Sequence, residues 1–125
     1  MPSSVTRIGE FSFGECDQLN DFEIKEDSKL IHIGRGAFYK SFIPKIEIPS
    51  QLQFLGKQAF CSCFNLESIK LPNNPNFRII EDGTFHHCSK LNHVDFRNDS
   101  KIEIFGGDSF SYTKIKKITI PSSVT

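Results

Sequence analysis

The sequence predicts a parallel β-solenoid, a chain wound into stacked coils of short strands, and three observations predict it. A phenylalanine recurs at Phe13, Phe38, Phe60, Phe85 and Phe110, at spacings of 25, 22, 25 and 25 residues. An apolar pair precedes each phenylalanine and an apolar run follows it, so one skeleton is read five times. A unit this short cannot bury its own apolar face and must lean on its neighbours.

Each unit opens with its apolar pair: Val5/Ile8, Leu30/Ile33, Leu52/Leu55, Phe77/Ile80 and Ile102/Phe105. The phenylalanine follows, and three places on comes a small residue: Cys16, Ser41, Cys63, Cys88 or Thr113. The closing run reads Leu19/Phe22/Ile24, Ile43/Ile46/Ile48, Leu66/Ile69/Leu71, Leu91/Val94/Phe96 and Ile115/Ile118/Ile120. Its last three residues alternate apolar, polar, apolar, which is strand periodicity, and equivalent strands one coil apart stack in parallel. The second and fifth units lack one residue between the phenylalanine and the run, a deletion that falls in a turn. Pro49-Ser50, Pro72-Asn73, Asn98-Asp99 and Pro121-Ser122 follow the strands; proline's fixed φ and missing N–H end a ladder there.

The chain thus reads as one solenoid over 1–125, with repeats at about 2–24, 25–48, 49–71, 72–96 and 97–120 and the start of a sixth at 121–125. Pro2-Ser3-Ser4-Val5-Thr6 recurs as Pro121-Ser122-Ser123-Val124-Thr125, so the sequence reads as part of a longer array. Uncapped terminal coils are expected to invite end-to-end stacking. Gly9, Gly34, Gly56 and Gly106 share one place in the unit, where a bend of positive φ is expected. The fourth unit has Glu81 there, with Gly83 expected to take the bend.

Fifteen Lys and Arg balance fifteen Asp and Glu, and the charges are interspersed. Nonspecific nucleic-acid binding needs clustered cations to release counterions, so that class of function is set aside. No run of about 18 apolar residues and no leader pattern is present, so neither membrane insertion nor an export signal is predicted.

The four cysteines are Cys16, Cys61, Cys63 and Cys88. Cys16, Cys63 and Cys88 alternate with Ser41 and Thr113 in the small-residue slot and read as structural thiols. Cys63 and Cys88 lie one coil apart, near disulfide reach, while Cys61 has no counterpart in the other units. Cys61, Cys63, His86, His87, Cys88 and His93 are of zinc-ligand type, but C-x-C beside H-H-C lacks the usual ligand spacing, and no metal or cofactor is predicted. No phosphate-binding glycine loop and no nucleophile elbow occurs. Glu23 and Glu47 are candidate neighbours, yet exposed carboxylates without an enclosing pocket do not make an acid/base pair, so no enzyme is predicted. Asn98-Asp99-Ser100 is a glycosylation sequon, relevant only to a secreted eukaryotic protein.

The segments Pro2-Ser-Ser-Val-Thr-Arg-Ile-Gly and Ala59-Phe60-Cys-Ser-Cys63-Phe-Asn-Leu66-Glu-Ser-Ile69-Lys-Leu71-Pro72 resemble the BspA-type leucine-rich repeat, and the resemblance covers essentially the whole chain. It implies a leucine-rich-repeat solenoid with a parallel sheet on the concave face and turns or 3-10 segments on the convex side. It also implies a secreted or cell-surface protein that binds other proteins, several members being regarded as adhesins toward host matrix. The expected function is therefore a protein-binding module of a surface adhesin or host-interaction protein. An intracellular interaction scaffold and a self-assembling repeat module are the alternatives. The repeat residues are core residues, so any ligand is read by what varies.

Two outward columns vary on the predicted concave strands: Asp21, Lys45, Ser68, His93, Lys117, and Glu23, Glu47, Lys70, Asp95, Thr119. They read either as a polar docking face for a protein or as a solvated face that neutralises itself, since exposed ion pairs contribute under about 1 kcal/mol. A column on the opposite wall runs Arg7, His32, Phe54, Ile79, Ile104. Phe54, Ile79 and Ile104 are expected to touch at strand spacing and form an apolar interface for a partner or a second copy.

Overall fold

The computed structural model describes residue 2, residues 4–96 and residues 100–115. They form a parallel-strand solenoid without helix. The elements in chain order are β1 (Arg7–Ile8), β2 (His32–Ile33), β3 (Lys45–Glu47), β4 (Phe54–Leu55), β5 (Ser68–Lys70), β6 (Ile79–Ile80), β7 (His93–Asp95) and β8 (Ile104–Phe105). Two walls carry them. The apolar pairs give β1-β2-β4 and β6-β8, and the closing runs give β3-β5-β7, every pair parallel. Among the described residues the remainder of each coil is turns and irregular backbone, with no 3-10 segment.

The recurring phenylalanines stack through the interior. Ring centroids lie 5.4, 5.1, 5.7 and 5.3 Å apart from Phe13 to Phe110, and adjacent rings are within 18° of parallel. Phe38, Phe60, Phe77 and Phe85 are completely enclosed. Leu30, Ile33, Ile43, Ile48, Leu52, Leu55, Leu66 and Ile69 flank them, each burial stabilising by roughly 1.5–3 kcal/mol. The core is therefore a column along the solenoid axis, thinning where Phe13 and Phe110 are only half-buried.

Between the walls, each coil turns a corner with two left-handed residues four apart: Phe11/Glu15, Gly36/Lys40, Gln58/Ser62, Gly83/His87 and Asp108/Tyr112. Eight of these ten are not glycine, although left-handed backbone costs such residues about 1–3 kcal/mol each. The geometry turns alternate N–H groups toward the next coil. Phe11, Phe13 and Glu15 donate to the carbonyls of Arg35, Ala37 and Tyr39 at 2.9, 2.8 and 2.6 Å, and each later junction repeats these three bonds. Three ordered hydrogen bonds per corner offset the strain.

Gly9, Gly34, Gly56 and Gly106 do not have positive φ, contrary to the expected bend. Gly34, Gly56 and Gly106 are small because the preceding coil passes against them. A Cβ at Gly34, Gly56 or Gly106 would stand 2.8, 2.5 or 2.5 Å from a backbone nitrogen of that coil. This approach lets their N–H groups reach the carbonyls of Ile8, Ile33 and Ile80 at 2.8, 2.9 and 2.6 Å. Glu81 carries a Cβ in the fourth coil, and there the wall divides: β1-β2-β4 ends and β6-β8 begins, with no bond from Glu81 to Leu55 among the described residues. Gly83 does adopt positive φ, as the first left-handed residue of its corner rather than as a substitute at position 81.

Candidate functional site

On β3-β5-β7 the register aligns Lys45 with Ser68 and His93, and Glu47 with Lys70 and Asp95. Ile46 and Ile69 point inward and are buried, while Lys45, Glu47 and His93 are exposed and Ser68, Lys70 and Asp95 half-exposed. The period-two pattern therefore places two adjacent polar columns on one outward face. Lys117 and Thr119, like the Asn98 sequon and the second Pro-Ser-Ser-Val-Thr segment, lie outside the described residues.

Asp21 and Glu23 are exposed but belong to no strand. The ladder stops at β3, and among the described residues no backbone hydrogen bond joins 20–24 to it. Two residues distinguish this junction: Pro44 has no N–H to donate where Glu67 and Asn92 donate to Pro44 O and Glu67 O at the later junctions, and Phe22 occupies the inward place held by Ile46, Ile69 and Val94 in later coils. Its ring packs edge-on against both Phe13 and Phe38, with centroids 5.1 Å away in each case. Between this coil and β3 lies a cleft of about 490 Å³, lined by Asn20–Ile24, Glu26 and Pro44–Glu47. Glu23 and Glu47 both line it. Sequence reasoning missed the cleft and the place of Glu26 in it; a phenylalanine at an otherwise Ile/Val position was the signal.

The opposite wall carries Arg7, His32, Phe54, Ile79 and Ile104 outward. Phe54, Ile79 and Ile104 are 40%, 41% and 50% exposed. The ladder does not run through them as one stripe. His32 stacks on Phe54 at 4.6 Å and Ile79 pairs with Ile104, but among the described residues no strand pairing joins Phe54 to Ile79. Burial, and then the neighbouring Arg7 guanidinium, push the His32 pKa below its ordinary 6.5.

The interior cysteines are thiols in backbone slots. Cys63 donates to the Phe38 carbonyl at 3.0 Å and Cys88 to the Phe60 carbonyl at 2.9 Å, while Ser41 lies 3.6 Å from the Cys63 sulfur. The adjoining Cys63 sulfur and then burial push the Cys88 thiol pKa far up, and burial raises that of Cys61. The residue sequence reasoning left without a role, Cys61, is buried beside Ser62. Among the described residues no group of three or more His, Cys, Asp or Glu side chains is placed to hold a metal.

The phenylalanine column, the parallel ladders and the apolar-pair spacing define a leucine-rich-repeat solenoid. The family model of the BspA type leucine rich repeat region matches residues 1–100 in 6 copies, and the chain belongs to that family. Among solved structures it is similar to a leucine-rich repeat protein from Bacteroides ovatus, at 30% identity and a TM-score of 0.68 over 100% of this chain. This chain spans 37% of the length of that protein. A leucine rich repeat protein from T. pallidum aligns with 85% of this chain and 71% of its own, at 18% identity and a TM-score of 0.46. No curated protein matches the sequence. Repeats of this kind are protein-interaction scaffolds rather than catalysts, and proteins bearing them are typically surface-attached or secreted. Among the described residues no helix is long and apolar enough to cross a membrane.

Proposed function

We propose that this chain is a protein-binding module of a surface adhesin or host-interaction protein, acting through the outward face of β3-β5-β7 and not by catalysis. The supporting observation is the register itself. Lys45, Ser68 and His93 form one column and Glu47, Lys70 and Asp95 the next, over a sheet whose inner side is closed by the core. Such a face offers alternating charge to a protein partner without disturbing the fold. Asp21 and Glu23 extend it across the cleft, and Lys117 and Thr119 continue the sequence pattern. The test is binding to immobilised host cells and matrix proteins by the chain and by a Lys45→Glu/Lys70→Glu variant of verified fold. Loss of binding in the variant is the expected result; equal binding by both rejects the assignment of the face.

A self-assembling module is the second reading, favoured by the exposure of Phe54, Ile79 and Ile104. Mass that rises with protein concentration and returns to the monomer value in a Phe54→Ser/Ile104→Ser variant supports it. A monomer across the concentration range removes both this stripe and terminal-coil stacking as assembly surfaces.

A further inference from the structure

The β3 side of the cleft is an unfinished sheet edge. Ile48 N–H donates to Lys70 O at 2.9 Å, so by strand alternation the N–H and C=O groups of Lys45 and Glu47 face away from β5, toward residues 20–24. No described backbone group there meets them. An open edge of this kind is a template for an added strand. The cleft's about 490 Å³ lies within the usual range for ligand sites. Its charge is one-sided: Asp21, Glu23, Glu26 and Glu47 face a single cation, Lys45, and none of the four carboxylates is in an ion pair among the described residues.

We propose that this cleft takes a basic, extended peptide segment of a partner protein, which adds as a strand to the free edge of β3 while its cationic side chains meet the four carboxylates. The proposal rests on the reading that the chain binds protein and goes beyond it, adding beside the β3-β5-β7 face a contact with the opposite charge preference. Backbone pairing to Lys45 and Glu47 supplies the docking, independent of side-chain identity, and the carboxylates select sign. A three-residue edge offers few backbone bonds, so the interaction is weak in isolation.

The test uses the whole chain and three fluorescein-labelled octapeptides: alternating Lys-Thr, the same peptide with alternate backbone nitrogens methylated, and alternating Glu-Thr. Fluorescence anisotropy reads affinity, and amide hydrogen exchange reads the Lys45 and Glu47 N–H groups. Expected are saturable binding of Lys-Thr, slowed exchange at those two amides, no binding of Glu-Thr, and at least about tenfold weakening by methylation. A Glu23→Lys/Glu47→Lys variant is expected to bind about tenfold more weakly, and Lys45→Glu about threefold more tightly, from the size of exposed charge pairs. Absence of Lys-Thr binding, or equal affinity for the methylated peptide, overturns strand addition. If the double variant does not fold, an unchanged or weaker affinity of Lys45→Glu overturns the charge assignment. Host-protein binding that depends on Lys45 and Lys70 but survives Glu23→Lys/Glu47→Lys defeats this proposal alone and leaves the docking face standing.

Discussion

Gly56→Ala isolates the rule that lets one coil sit on the next. The added Cβ would lie 2.5 Å from Arg35 N and 2.6 Å from Gly34 C, both backbone atoms, so the second and third coils must separate locally. Separation weakens three bonds, from Gln53 and Phe54 N–H to Ile31 O at 2.9 and 3.2 Å and from Gly56 N–H to Ile33 O at 2.9 Å. At a net 0.5–1.5 kcal/mol each, their loss costs about 1.5–4.5 kcal/mol. Alanine's smaller unfolded-state entropy returns about 0.4–1 kcal/mol. The expected destabilisation is about 2 kcal/mol, or roughly 8 °C in Tm for a chain of this size. Gly9→Ala is the matched control. It occupies the same repeat position, but its Cβ would meet only the Ser12 Oγ at 3.2 Å, an exposed hydroxyl that can turn away by exchanging its 2.8 Å bond to Gly9 O for water. It should stay within about 0.5 kcal/mol of the parent. Urea unfolding followed by circular dichroism measures both, and amide exchange at residue 56 locates the change. Equal effects from the two substitutions would refute coil-to-coil contact as the reason for glycine.

The same reasoning predicts that Glu81→Gly closes the divided wall, seen as new exchange protection at the amide of position 81; an unprotected amide would assign the break to another cause. Phe60→Ala removes the middle of the stacked column, where the ring has parallel neighbours at 5.1 and 5.7 Å, and should cost about 3–5 kcal/mol in urea unfolding. Phe110→Ala, at a half-buried site, should cost less, and reversed magnitudes would contradict the axial core. His32 has a folded-state pKa below its unfolded 6.5, so the unfolded chain binds the proton more readily. Its contribution is present above pH 6.5 and is lost as pH falls through the lowered value; His32→Gln should flatten that part of a stability–pH curve. Iodoacetamide at neutral pH should modify half-buried Cys16 before Cys61, Cys63 and Cys88, which become reactive only on denaturation, with mass mapping of the peptides as the readout.

The repeat skeleton was legible because each apolar position answers to the same burial in every coil: Phe38, Phe60 and Phe85 are interchangeable in role, and periodicity reports role. Outward columns such as Lys45/Ser68/His93 followed by alternation alone. What periodicity could not report is the consequence of a misfit. Phe22 where other coils have Ile or Val, Pro44 where other coils donate an N–H, and Glu81 where other coils have glycine each preserve the register of the chain and sit where one junction is unpaired. The left-handed corner residues were hidden for a different reason. Phe11, Glu15 and Lys40 have no side-chain preference for that backbone, which is imposed by hydrogen bonds to the neighbouring coil. The polar face was therefore readable as a place, and the cleft beside it was not.

The corner bonds also give the molecule an electrical axis. In a parallel strand ladder, donors and acceptors alternate and peptide dipoles largely cancel. At the corners every bond runs the same way, three at each of four junctions, always from the N–H of one coil to the C=O of the next. The fifteen peptides joined by these twelve bonds form columns of head-to-tail dipoles parallel to the stacking direction, comparable in kind to the macrodipole of a helix although no helix is present among the described residues. One flank of the solenoid thus has a polarity that the strand walls do not share, and a charged segment running alongside it would be oriented end for end.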